Sequence, residues 1–208
     1  MTVDGAGPDG ALDAAEDALR GGLVVAIPTD TVYGLAADPR VAGATGLLFT
    51  AKRRPDVAHL PVLVPDGAAA EELGELPPGA RRVAGRYWPG PVTIVVPRAP
   101  ASAEFDLRGD SATIGLRCPD HAVAQQLLGR VGALAVTSAN LHGSPPLTTA
   151  ADVRAELGDR VAVIVDGGTC DRPPSCVVTF TLGHVRLLRA GAVPFADIEA
   201  LDQAGDDR

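Results

Sequence analysis

The stretch DHAVAQQLLGRVGALAVTSA, residues 120–139, decides the fold class. DHAVAQQLLGRVG (120–132) carries apolar residues at helical spacing and closes on a glycine. ALAVTSA (133–139) is a short apolar run of the kind that buried strands show. A helix that feeds directly into a buried strand is the repeating unit of α/β proteins.

The same unit recurs on both sides. ALDAAEDALR (11–20) is a helix stopped by two glycines, and LVVAIP (23–28) is a strand. VAGATGLLFTAKRR (41–54) is helical between Asp38-Pro39 and Pro55, because proline breaks a helix at the residue before it. LPVLVP (60–65) is a strand, GAAAEELGEL and PPGARRVAGRYW are helices, and PVTIVVP (91–97) and ATIGLRCP (112–119) are strands. TTAADVRAELG (148–158) opens with capping threonines. VAVIVDGG (161–168), SCVVTF (175–180) and HVRLLRA (184–190) are strands, and PFADIEALD is a final helix. Alternation followed by a cluster of strands predicts an α/β fold, a single domain with a twisted mixed sheet flanked by helices. The domain is expected over residues 11–202, with flexible ends at 1–10 and 203–208.

At 208 residues the chain can bury a core without disulfides. That core must be aliphatic, since hydrophobic content is 46% and aromatic content only 3%. A net charge of −8 disfavours coating a nucleic-acid duplex, which leaves at most weak tRNA binding. Cys118, Cys170 and Cys176 form no CxxC and read as reduced thiols of a cytoplasmic protein. The acidic N-terminus is unlike a signal peptide, and no apolar run is long enough for a membrane span.

Six stretches carry chemistry. In IPTDTVYGLAADP (27–39) a strand ends in Thr29, Asp30 and Thr31, either a self-bonded turn or hydroxyls at the strand end where α/β sheets bind ligands. In AKRRPD (51–56) stands Lys52, the only lysine among 18 Lys and Arg. With Arg54 it either complements a helix C-terminus or forms an anion site, where a compact ammonium reaches a phosphate oxygen that a guanidinium fork does not.

RYWPGPVTIVV (86–96) is an aromatic plug at a stiff turn, with base stacking as the other reading. In ATIGLRCPDH (112–121) Arg117 ends an apolar strand. It pairs with an acid such as Asp120 or meets an anionic ligand such as an amino-acid carboxylate. ALAVTSANLHGSPPLT (133–148) runs a strand into Thr137, Ser138 and Asn140. Ser138 has no GxSxG elbow and no evident His/Asp partner, so it reads as a binding residue. PPSCVV (173–178) and VRLLRAG (185–191) add Ser175 and Arg189. GxxxxGK[ST] is not present, and His59, His121, His142 and His184 lack metal-ligand spacing.

In this order, PTDTVYGL, the KxR of AKRRP, YWPGPVTIVV, GLRCPDH, TSAN with its Gly/Pro loop, PSCVV and LLRAG resemble the YrdC-like family of threonylcarbamoyl-AMP synthases. The likeness spans roughly residues 12–195 and is to the short form, without a further C-terminal domain. It implies a nucleotidyltransferase that makes threonylcarbamoyl-AMP and pyrophosphate from ATP, L-threonine and bicarbonate. The product serves the t6A modification at position 37 of tRNA, through downstream transfer proteins. The resemblance implies that Thr31, Arg117, Ser138 and Ser175 bind L-threonine. Lys52, Arg54, Thr113, Asn140, Thr148 and Arg189 would bind ATP, with Lys52 and Arg54 at the reacting centre and Mg2+ arriving on the triphosphate. Two differences stand out. The segment after KxR is one residue longer and lacks the family's histidine at the matching place, and Cys176 replaces the usual threonine. An RNA- or ribosome-binding module of the same fold, carried by Arg81, Arg82 and Arg86 beside Tyr87 and Trp88, and a carbamoyl-adenylate-forming relative are the alternatives.

Overall fold

The computed structural model describes residues 8–52, 59–109, 112–141 and 143–204. Among these lie α1 (Pro8–Arg20), β1 (Val25–Ile27), β2 (Gly34–Ala37), α2 (Ala44–Lys52), β3 (Val62–Leu63), α3 (Gly67–Leu73), α4 (Pro78–Tyr87), β4 (Val92–Pro97) and β5 (Thr113–Arg117). Then follow α5 (Ala122–Val131), β6 (Leu134–Ser138), α6 (Ala150–Leu157), β7 (Val163–Ile164), β8 (Cys176–Thr179), β9 (Arg186–Arg189) and α7 (Phe195–Gln203). The helix ends at Pro8 and Gln203 lie just outside the expected domain limits of 11 and 202. One strand was not expected: β2, GLAA, whose glycine and alanines have little β-propensity of their own. It forms because it folds back antiparallel on β1 and pairs with β6 on its other side.

The nine strands form one mixed sheet in the order β7-β1-β2-β6-β3-β5-β4-β8-β9. The pairs β1/β7, β3/β5 and β4/β8 are parallel and the rest antiparallel. Strand residues alternate between the two faces, and the two faces differ.

One face carries Ala26, Leu35, Val62, Ile94, Ile114, Leu116, Ala135 and Val178, and α2, α3, α4, α6 and α7 pack on it. Local signals hold these helices in place. The Asp66 side chain caps α3 on Ala69 N at 2.8 Å, Thr149 caps α6 on Asp152 N at 3.1 Å, and Pro78 sits in the first turn of α4.

The other face is only partly covered. Leu12, Leu19, Leu127 and Leu128 of α1 and α5 pack on Val25, Ile27, Ala36, Leu134, Val136 and Val163. Each such leucine stabilises the fold by about 1.5–3 kcal/mol relative to exposure. Beyond these helices the strands β3, β5, β4 and β8 present their residues to a trough.

Candidate active site

The trough is a cavity of about 550 Å3, in the size range of small-molecule sites. Its floor is built mainly at every second residue of adjoining strands, with Thr137 of β6 also on the lining. Thr113, Gly115 and Arg117 come from β5, Thr93 and Val95 from β4, and Val136 and Ser138 from β6. Ser175, Val177 and Arg189 come from β8, its preceding residue and β9. The loop between β1 and β2 supplies Thr29 and Thr31, and Pro146 borders the cavity from the segment after β6. The site therefore lies on a face of the sheet. The expectation of strand ends alone was too narrow, because α1 and α5 leave this half of the face uncovered.

Arg117 is the buried centre of the cavity wall. Its Nη2 donates to Asp30 Oδ1 at 2.5 Å, its Nε donates to Gly90 O at 3.1 Å, and both Nη atoms lie 3.3 Å from Thr31 Oγ1. Burial lowers the Arg117 pKa, Asp30 raises it in opposition, and the like charge of Arg189 lowers it further. The acid partner is thus Asp30 and not the neighbouring Asp120. The pairing brings together residues 87 positions apart, which no local pattern announces.

The turn 29–33 reconciles both readings of its polar cluster. Thr29 Oγ1 donates to Val32 O at 2.6 Å and accepts from Thr31 N and Val32 N, so it builds the turn. Thr31 Oγ1 is left at the guanidinium. Tyr33, fully buried, donates to Gly168 O at 2.9 Å and accepts from Gly167 N at 3.1 Å, which ties the turn to the segment before β8. Burial, partly offset by the Gly167 N–H and reinforced by Asp166, pushes its pKa up to about 12.

At the opposite wall, Arg189 Nη2 donates to Ser175 O at 2.9 Å and to Ser175 Oγ at 3.0 Å. Ser175 Oγ also lies 3.1 Å from Thr93 Oγ1. Desolvation lowers the Arg189 pKa. Cys176 is fully buried beside Ser175 and belongs to the opposite, helix-covered face.

Lys52 is 3% exposed and stands behind Ser138. Its ammonium donates to Asn140 O and Asn140 Oδ1, each at 2.8 Å, to Ser138 O, and to Ser138 Oγ at 3.3 Å. Ser138 Oγ donates to Asn140 Oδ1 at 2.6 Å, and the Asn140 amide donates to Leu141 O and Ser144 O. Several acceptors converge on one point, an arrangement that suits a compact ammonium and not a planar fork. This accounts for the one lysine in an arginine-rich chain.

Of the residues singled out in the sequence, Thr29, Thr31, Thr113, Arg117, Thr137, Ser138, Ser175 and Arg189 line the cavity. Lys52 and Asn140 support its wall from behind. Thr148 lies off the lining, with its carbonyl accepting from Cys170 N at 2.8 Å. Arg54 lies outside the described residues. The sequence reading named Asp30 and His59 without giving either a role at the site, and it missed Thr93. His59 borders the cavity. Thr93 could have been found from the alternation of VTIVV, where it is the polar residue between apolar neighbours.

The arginines of the RNA-binding alternative have other partners. Arg81 pairs with Glu71 at 3.0 Å, and Arg82 donates to Leu201 O and Asp202 O of α7. The Arg86 guanidinium lies 5.2 Å from the centre of the Tyr87 ring, and the Trp88 indole donates to Val92 O at 2.7 Å. The aromatic pair is a structural plug. All three cysteines are free and buried. Among the described residues, no helix is long and apolar enough to cross a membrane.

Comparison with known proteins adds to this geometry. The Sua5_yciO_yrdC family model, described as "Telomere recombination", matches residues 17–191. A threonylcarbamoyl-AMP synthase of Thiobacillus denitrificans is 40% identical over 187 residues, covering 88% of this chain and 96% of its own length. The threonylcarbamoyl-AMP synthase of Bacillus subtilis is 37% identical over 186 residues, covering 88% of this chain and 54% of its own. Among solved structures, Pyrococcus abyssi Sua5 complexed with L-threonine superposes with a TM-score of 0.84 at 31% identity, over 97% of this chain and 60% of that one. The chain thus spans about the full length of some relatives and little more than half of others.

Proposed function

The chain belongs to the Sua5/YciO/YrdC family, and we propose that it is a threonylcarbamoyl-AMP synthase, forming threonylcarbamoyl-AMP and pyrophosphate from ATP, L-threonine and bicarbonate. One observation carries this reading. A single cavity holds a buried guanidinium, Arg117, beside the hydroxyl of Thr31, and a second guanidinium, Arg189, beside that of Ser175. That pattern suits a small amino acid at one end and a phosphate chain at the other.

In the proposed reaction, CO2 formed from bicarbonate with loss of water adds to threonine's amine, which releases a proton and becomes a carbamate. A carbamate oxygen attacks the α-phosphorus and pyrophosphate leaves. The reaction needs no protein nucleophile. Among the described residues, Ser138 Oγ bonds to Lys52 and Asn140 and to no imidazole, which supports a binding role. Catalysis then consists of positioning and charge neutralisation. Arg117 would take threonine's carboxylate, with Thr31, Ser138 and Ser175 around it. Thr113 and Arg189 would serve ATP from the cavity wall, Lys52 and Asn140 by shaping that wall, and Arg54 and Thr148 by the family resemblance alone. Mg2+ would enter with the triphosphate as part of the substrate, and the product would pass to proteins that modify tRNA.

The test is pyrophosphate release from MgATP with threonine and bicarbonate omitted in turn. Release that needs both supports the synthase. Release without threonine would overturn it in favour of another acceptor or a nucleotidase.

A further inference from the structure

We propose that Asp30 is a positioning residue that fixes which edge of the Arg117 guanidinium meets the substrate's carboxylate. The inference rests on the threonine reading above and concerns a residue that does not itself line the cavity.

A guanidinium has five N–H groups. Asp30 Oδ1 takes one on Nη2 at 2.5 Å, and Gly90 O takes the one on Nε at 3.1 Å. Both Nη atoms lie 3.3 Å from Thr31 Oγ1, and Thr31 lines the cavity. The guanidinium is thus clamped from behind by a carboxylate and from one edge by a carbonyl. Its Nη1–Nη2 edge is turned to the hydroxyl that shares the cavity, and Nη1 is the end of that edge which Asp30 does not hold. The side chains of Arg117 and Asp30 are only 9% and 2% exposed, so water does not compete for these bonds.

The pair also sets the local charge. Asp30 offsets Arg117, so an arriving carboxylate meets a neutralised pair in a fixed orientation and not an unscreened cation. Selectivity for an α-carboxylate then depends on geometry as much as on charge. A structural ion pair alone would serve stability and would not distinguish one ligand from another.

The experiment compares L-threonine with L-threoninamide, which lacks the anionic carboxylate, by titration calorimetry on wild type and Asp30→Asn. The expected result is a loss of L-threonine affinity of about 10- to 100-fold, with L-threoninamide and ATP affinities changed by less than about twofold. Equal weakening of all three ligands would mean a merely structural role and would overturn the proposal. So would unchanged L-threonine binding in the variant while wild type binds it. Absence of L-threonine binding by wild type would instead overturn the synthase reading on which the proposal rests.

Should Asp30→Asn not fold, the wild-type chain carries the test through nitrogen NMR of the Arg117 side chain. Separate Nη resonances before L-threonine is added would show a guanidinium already held. Averaged resonances that split only on addition would overturn the proposal.

Discussion

The Lys52 ammonium donates to both the backbone carbonyl and the side-chain Oδ1 of Asn140, each at 2.8 Å. One cation thereby fixes the turn that follows β6 and the hydroxyl of Ser138 at the cavity wall. Arginine cannot bring its planar fork onto the same converging acceptors. Lys52→Arg is therefore expected to lose about 1.5–3 kcal/mol of stability, as for a charged buried hydrogen bond. Pyrophosphate release should fall with it, and Lys52→Ala should abolish release while leaving a folded protein. Urea unfolding gives the first and a coupled phosphate assay the second. A Lys52→Arg midpoint equal to wild type would refute this account.

Gly115 lies on the cavity floor in ordinary backbone conformation. An added Cβ would meet Thr93 Cγ2 and Val95 Cγ2 at 3.5 and 3.6 Å, normal contact distances. Gly115→Ala should therefore fold, and gain about 0.4–1 kcal/mol through lower unfolded-state entropy. The same methyl intrudes on the substrate's space. Thermal melting and KM for threonine should move in opposite directions, higher Tm with higher KM. A variant that gains both stability and affinity would contradict the placement of the floor.

Gly191 presses on the backbone that carries Ser175. A Cβ there would stand 2.2 Å from Cys176 N and 2.3 Å from Ser175 C. Neither atom can move like a flexible side chain. Gly191→Ala should cost about 1–3 kcal/mol by overpacking and displace Ser175 from Arg189. Chemical denaturation measures the cost. A loss of less than half that range would mean the strand can shift freely.

Tyr33 sets a pH limit. Its folded pKa, about 12, lies above the ordinary 10 because burial disfavours the phenolate. The native state therefore holds the proton more tightly than the unfolded chain. The associated stability is fully present below pH 10 and is lost as pH rises towards 12. Tyr33→Phe, which also removes the bonds to Gly167 and Gly168, should lower stability at neutral pH by about 1–3 kcal/mol. It should also flatten the decline between pH 10 and 12. Denaturant curves across that range, wild type against variant, check both, and parallel declines would refute the assignment.

Much of the fold was legible because its elements announce themselves. Helices such as α5 and α6 carry periodicity, a glycine stop or a capping threonine, and strands such as β4 and β5 are short apolar runs between turn residues. β2 was not legible, since GLAA is defined by its partners β1 and β6 and not by its own propensity. For the site, Arg117 and Ser138 stood out as polar groups closing apolar strands. Asp30 and His59 did not, because their roles depend on where the chain returns in space. The placement on a sheet face was equally hidden. It depends on how far α1 and α5 reach, and strand sequence alone does not record that.

The alternation along β5 has an evolutionary consequence. Thr113, Gly115 and Arg117 face the cavity, while Ile114 and Leu116, between them, are sealed under α3 and α4. Selection for a new ligand and selection for a sound interior thus act on interleaved, nearly independent letters of one five-residue word. A lineage can rewrite the odd positions to accept a different small molecule and leave the even ones untouched, with little repacking to follow.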